Sequence, residues 1–183
     1  MKNKLNCLLE VLNQWKGNED AILQDGTQLI CRINHESPLG YLHKIYPPLG
    51  TMDIEKIEVI LKINLPIHYL DFLLMFNGLD IFNGDIAIFG LKKGVGHFNR
   101  FFQPYDIILE NLRNKMTDNC FLFAYYKQKY NVYFSCEEKG KVIIKKSETN
   151  EFVREFPSFL EWLEQSINVL SIDYAELKNK LVE

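Results

Sequence analysis

Residues 57–91 read IEVILKINLPIHYLDFLLMFNGLDIFNGDIAIFGL, and a change of period inside this stretch sets the class of fold. On its N-terminal side Ile54, Ile57, Val59, Ile60 and Leu61 give a helix that begins near Met52 or Asp53 a broad apolar face, ending at Asn64. Pro66 suits the first turn of a second helix, where its missing amide would be unpaired in any case. Tyr69, Phe72, Leu73 and Phe76 recur at helical intervals, and Asn77-Gly78 stops the helix because the position past a helix end often needs a positive φ. From Leu79 the period falls to two. Two short apolar strands flank Asn83-Gly84, a pair suited to a type I′ hairpin turn.

Toward the C-terminus, residues 92–119 hold KKGVG, an aromatic patch at Phe98, Phe101 and Phe102, and a helix from about Asp106 to Arg113. CFLFAYYK, YNVYFSCE and KVIIKKS then read as successive strands of an antiparallel meander, with turns around Gln128 to Asn131 and at Gly140. A helix follows Pro157 with Phe159, Leu160, Trp162, Leu163 and Ile167 on its apolar face, and Ser171 caps a final helix carrying Tyr174, Leu177 and Leu181. Toward the N-terminus, Leu5, Leu8, Leu9, Leu12 and Trp15 fall on one face of an amphipathic helix. Between it and residue 50 the reading is an irregular connector with a short strand around Leu29 to Ile33, because Pro38, Pro47 and Pro48 exclude long regular structure. The expectation is one α+β domain over residues 1–183: a central, mostly antiparallel sheet bracketed by N-terminal and C-terminal helices.

The 183 residues suffice for one domain with a substantial core, and 47% hydrophobic with 25% charged residues is a globular balance. A net charge of −3 disfavours a nucleic-acid partner, which needs a strong basic face. The acidic excess lies in residues 1–91, with 7 Lys/Arg against 11 Asp/Glu. Cys7, Cys31, Cys120 and Cys136 are too widely and unevenly spaced for a small secreted disulfide framework, so free thiols are expected. Glu10 interrupts the leucines that would otherwise suggest a signal peptide, and no stretch reaches the roughly 18 apolar residues of a membrane span. A cytoplasmic location, with no membrane contact, is expected.

Sequence signatures of catalysis are missing: there is no GxSxG, Walker A loop, HExxH, or HxE paired with PCxxC. GLKKGVG lacks the P-loop order and reads as an exposed turn. Cys31 and His35 share a helical spacing but lack further ligands, while His43, His68 and His97 are scattered, so no metal is expected. Asp80 with Asp85, and Glu137 with Glu138, read as solvated turn charges rather than an acid–base pair. YYKQKYNVYF interleaves rings and lysines, as a half-buried hairpin does with its rings inward and its lysines in water. Trp15 and Trp162 fall on apolar helical stripes and read as core anchors; no cofactor is expected.

The order Leu65-Pro66, Tyr69, Phe72, Leu73, Phe76, Asn77-Gly78, then Gly84 and Phe89-Gly90-Leu91, resembles the SUKH superfamily. That superfamily includes the Smi/Knr-type fungal cell-wall regulators and many bacterial immunity proteins. The later strands and FPSFLEWLEQSI, with Phe156, Phe159, Leu160 and Leu163, also look like the family's closing strand and helix. The resemblance implies a non-catalytic protein-binding domain whose partner is a cognate toxin domain, blocked by steric occlusion. Its alternative is a regulatory scaffold or adaptor; a third reading is a small-molecule or nucleic-acid-binding domain using the aromatic sheet. Asp80, Phe82, Asn83 and Asp85 are the expected partner contacts, because a hairpin tip can expose an aromatic between two acids. On that expectation, lysine at 80 and 85 weakens binding and spares folding.

Overall fold

The computed structural model describes residues 2–33, 40–93, 101–114, 120–135, 138 and 140–182. His35, Pro38, Gly94 to Gly96, His97, Phe98, Cys136 and Glu137 lie outside them. In chain order the elements are α1 (Lys2–Asn13), β1 (Ala21–Ile22), β2 (Gln28–Arg32), β3 (Tyr41–Ile45), α2 (Thr51–Leu61), α3 (Ile67–Leu73), β4 (Leu79–Ile81) and β5 (Ile86–Ile88). They continue with α4 (Ile107–Arg113), β6 (Cys120–Tyr126), β7 (Tyr130–Ser135), β8 (Val142–Lys146), β9 (Phe152–Phe156) and α5 (Phe159–Val182). Among the described residues nine strands form one sheet whose spatial order is the chain order, and every neighbouring pair is antiparallel. The fold is the expected α+β arrangement, with helices at both ends of a meander.

Register explains how the sheet acquires two unlike faces. Ile45, Leu79, Ile88, Ala124, Val132 and Ile144 are successive cross-strand partners, an apolar row running over six strands. One residue along, Lys44, Asp80, Ala87, Tyr125, Asn131 and Lys145 form the next row. Alternation sends that polar row to the opposite face. The apolar face receives α3 and α5 through a cluster of rings. Tyr69 lies 5.4–6.0 Å from the rings of Phe72, Phe121, Phe123, Phe134 and Phe159, and Phe123 stacks on Phe134 at 4.1 Å. Trp162 meets Phe123 edge to face at 5.1 Å. These rings are fully or almost fully buried, so truncating one of the phenylalanines costs about 3–5 kcal/mol.

Two buried asparagines fix the helices to the sheet. The Asn77 amide donates to the Leu91 carbonyl at 2.9 Å, while its oxygen accepts from the Leu91 N–H at 2.6 Å. Asn111, on α4, does the same to Leu122, donating at 2.7 Å and accepting at 3.0 Å. Each side chain supplies the pair of bonds that a neighbouring strand would otherwise give. Around Asn77 the backbones approach so closely that only glycine fits. A Cβ on Gly90 would overlap the Asn77 main chain and amide, and one on Gly78, at φ +84°, would meet the Ile88 carbonyl. Tyr69 completes the joint by donating its hydroxyl to the Phe89 carbonyl at 2.8 Å. The Leu65-Pro66 step is clamped in turn, because Glu58 accepts from the Leu65 N–H at 2.8 Å and Lys62 closes α2 in the left-handed region.

Several sequence expectations are corrected. The stretch before residue 50 is not an irregular connector, since it holds β1 and β3 as well as β2. Prolines bracket β3 without entering it, and its ladder bonds come from β2 and β4. The apolar face of α2 is narrower than expected: Ile54, Ile57 and Leu61 are buried, but Val59 is 74% and Ile60 41% exposed. Regular helix in α3 ends at Leu73, before a turn that carries the chain to Asn77. Ser171 caps nothing; it sits inside α5, an unbroken helix of 24 residues that contains no Gly or Pro. The cap of α5 is Ser158, whose hydroxyl accepts from the Glu161 N–H at 3.2 Å. The chain also adds β9, an exposed edge strand whose Phe156 alone is buried.

The joint yields a stability prediction. In urea unfolding, Asn77→Ala should cost about 2–4 kcal/mol by leaving both Leu91 groups unpaired, and Gly90→Ala about 3 kcal/mol or more by overpacking. Gly17→Ala, with nothing within 4 Å of the added carbon, should fall within about 0.5 kcal/mol of wild type.

Candidate partner-binding surface

The hairpin between β4 and β5 is built as the sequence indicates. Asn83 and Gly84 have φ of 52° and 87°, and the Asp85 N–H donates to the Phe82 carbonyl at 3.0 Å, the φ pattern and bond of a type I′ turn. Its side chains do not all point where expected. Phe82 is wholly buried, at a φ of 52° that a bulky side chain seldom adopts. Its N–H donates to His43 Nδ1 at 3.2 Å and its carbonyl accepts from the Tyr174 hydroxyl at 2.8 Å. The ring lies 4.8 Å from His43, 5.3 Å from Tyr174 and 6.3 Å from Trp15. The tip therefore does not expose an aromatic. Phe82 anchors the turn to α5 and to the segment after α1, and packing decides this because a ring gains more in the core than at a wet tip.

The two acids part company as well. Asp80 belongs to the polar row and pairs with Lys44 at 2.8 Å, the side chains being only 18% and 13% exposed. Asp85 turns toward the C-terminal helix and accepts from Tyr174 at 3.1 Å, while the adjacent Lys127 pairs with Asp173 at 3.1 Å. Burial and the Asp85 carboxylate push the Tyr174 hydroxyl up to about 12. Of the tip residues 82–85 only Asn83 is exposed, with its N–H tied to the Leu42 carbonyl at 2.8 Å. A lysine at position 80 would face Lys44 in a mostly buried site, so that substitution should destabilise the fold.

Beyond the tip, the polar row gathers groups that were not singled out from sequence. The Tyr125 hydroxyl donates to Glu110 at 2.5 Å, and Arg113 reaches Glu110 at 3.3 Å. Tyr105 packs edge to face on Tyr125 at 5.4 Å and is half exposed. Burial first, then the Glu110 bond and charge, push the Tyr125 hydroxyl well up. The signal was present in the alternation of YLHKI, which sends Lys44 to the face that Tyr125 occupies two strands beyond Asp80, but the position of β3 was required to read it. In YYKQKYNVYF the rings do not all turn inward, since Tyr125 stands on the polar row beside Glu110, and Lys127 and Lys129 occupy the turn rather than a wet strand face.

The remaining candidates resolve simply. Trp162 is wholly buried in the ring cluster, and Trp15 packs against His43 and Phe82. Cys31 is half-buried and Cys120 buried. Among the described residues, no group of three or more His, Cys, Asp or Glu side chains is placed to hold a metal ion, and no helix is long and apolar enough to cross a membrane.

The SMI1 / KNR4 family (SUKH-1) matches over residues 48–165, and the chain belongs to this family. The matched span runs from just before α2 into α5 and leaves α1 and β1 to β3 outside. No curated protein matches the chain.

His43 supplies a pH prediction. Burial lowers its pKa from 6.5 to about 3, so the folded state keeps it neutral while the unfolded chain takes up a proton. Its contribution to stability is intact above pH 6.5 and should be lost progressively as the pH falls toward 3, by up to about 1.4 kcal/mol per unit. His43→Gln keeps an acceptor for the Phe82 N–H and removes the titration. Urea midpoints between pH 7 and 4 should fall less steeply for this variant than for wild type.

Proposed function

We propose that the chain is a non-catalytic protein-binding domain of the cytoplasm, an immunity protein that binds a cognate bacterial toxin domain and neutralises it by steric occlusion. The observation that carries this reading is the family match across residues 48–165, which covers β4 to β9, α3 and the first turns of α5, where Phe159 and Trp162 stand. The geometry supports it. A rigid tip held from beneath by Phe82, His43 and Tyr174 presents Asn83 and the edge of Asp85 without ordering cost on binding. Asp80 lies behind it on the polar row beside exposed tyrosine surface, a composition suited to interface anchoring. In this reading Asn83 and Asp85 touch the partner, Asp80 adds a local field, and Phe82 positions the other three.

The test is capture of a partner by the tagged protein from its native lysate, mass spectrometry, and an activity assay on the captured protein. One dominant toxin domain should be inhibited in proportion to the protein added, reaching completion at one to one. Asp85→Asn, which keeps an acceptor for Tyr174, combined with Asn83→Lys, should weaken the complex roughly three- to tenfold at low salt and less at high salt. Several housekeeping partners with no inhibition would establish the regulatory adaptor of the Smi/Knr type instead.

A further inference from the structure

The tripeptide Phe-Asn-Gly occurs twice in the chain, as Phe76-Asn77-Gly78 and as Phe82-Asn83-Gly84. An asparagine followed by glycine can modify itself. The glycine nitrogen attacks the asparagine Cγ, ammonia leaves carrying the proton of that nitrogen, and a five-membered succinimide closes. Water then opens the ring at either carbonyl, giving aspartate or isoaspartate. Glycine favours the attack because it lacks a Cβ beside the nitrogen and leaves the backbone free to turn. The two steps share their local sequence, so a difference between them in the folded protein comes from their surroundings.

At Asn77 the fold blocks the reaction. The residue is buried, its side-chain nitrogen and oxygen are both bonded to Leu91, and its N–H is held by the Tyr46 and Pro47 carbonyls. The crowding that admits only glycine at 78 and 90 leaves this peptide no room to turn. Asn83 differs in each respect. It is exposed, Gly84 is half-exposed, and among the described residues neither the Asn83 side-chain amide nor the Gly84 N–H has a hydrogen-bond partner. One restraint remains. A type I′ turn holds its first central residue at positive φ and ψ, which turns the Asn83 side chain away from the Gly84 nitrogen, so the ring closes only when the tip opens. The Tyr174 hydroxyl, bonded to the Phe82 carbonyl and to Asp85, helps to keep it shut. We infer that Asn83 is a self-modification site: the folded chain converts it to aspartate and isoaspartate at a rate set by opening of the hairpin tip, while Asn77 stays intact. Aspartate adds a negative charge two residues from Asp85. Isoaspartate routes the main chain through the side chain and lengthens the turn by a carbon, so the Asp85 N–H no longer meets the Phe82 carbonyl in the same register. This chemistry needs only water and holds whatever the tip binds.

The experiment incubates the full chain, native and guanidinium-unfolded, at mildly alkaline pH and follows it by peptide mapping with electron-transfer fragmentation, which separates isoaspartate from aspartate. In guanidinium both asparagines should convert, as their shared tripeptide requires. In the native chain Asn83 should convert and Asn77 should not, and the rate should rise with pH because the attacking nitrogen must lose its proton. Tyr174→Phe keeps the ring against Phe82 and removes the two hydroxyl contacts. It should speed native conversion of Asn83 about threefold to tenfold, the worth of one hydrogen bond, with Asn77 still intact as the sign that the domain stays folded. Asn83→Gln, whose side chain is too long for the five-membered ring, should abolish the change at this position. Native conversion of Asn77 at the rate of Asn83 would place the reaction in globally unfolded molecules and overturn the inference. An Asn83 that survives while the unfolded chain converts, or a rate unmoved by Tyr174→Phe, would overturn it as well.

Discussion

The side-chain amide of Asn77 holds the Leu91 peptide from both sides, and the rest of the architecture hangs on that pair of bonds. It lies where α3 has ended and the central hairpin begins, so it sets the depth at which the ring cluster meets the sheet. Glycines at 78 and 90 are required because the chain passes itself at backbone distance there. Asn111 repeats the device on Leu122, where β6 runs past the end of the short β5 and its outer edge needs a partner. A buried amide of this kind stabilises only when all of its groups are engaged, and both side chains use donor and acceptor together.

From this joint the two faces of the sheet take their separate roles. The apolar row is consumed by Tyr69, Phe72, Phe159 and Trp162, and gives the domain its rigidity. The polar row pairs Lys44 with Asp80, both mostly buried, and ties Tyr125 to Glu110, so its charges and hydroxyl are satisfied within the face. The hairpin tip belongs to both systems, because Phe82 enters the core while the adjacent Asn83 leaves it. Its left-handed backbone is sustained by bonds from His43 and Tyr174, residues separated by most of the chain.

Much of this was readable wherever a local pattern and its tertiary setting agree. The switch of period at Leu79, the Asn83-Gly84 turn and the three strands β6 to β8 follow from neighbouring residues alone, and so did the resemblance to the family. What escaped depended on distant partners. Tyr41 to Ile45 looks like a proline-bounded loop until β2 and β4 are placed beside it, and β9 has no apolar alternation because only Phe156 reaches the core. Phe82 was misplaced for a related reason: a turn residue reads as exposed, and only the approach of α5 and Trp15 gives its ring somewhere to go.

The strictly sequential order of the nine strands has a consequence for how the chain reaches this state. Every strand pairs with the one just made, so most closures are short and the search is local. Among the described strands only two closures are long: the one spanning α2 and α3, and the one spanning α4. These are the places where Asn77 and Asn111 stand, each completing a ladder that an inserted helix had left short. The slow steps of assembly and its most exacting side-chain contacts therefore coincide, and a fault at either asparagine would delay the chain's folding as well as loosen the finished domain.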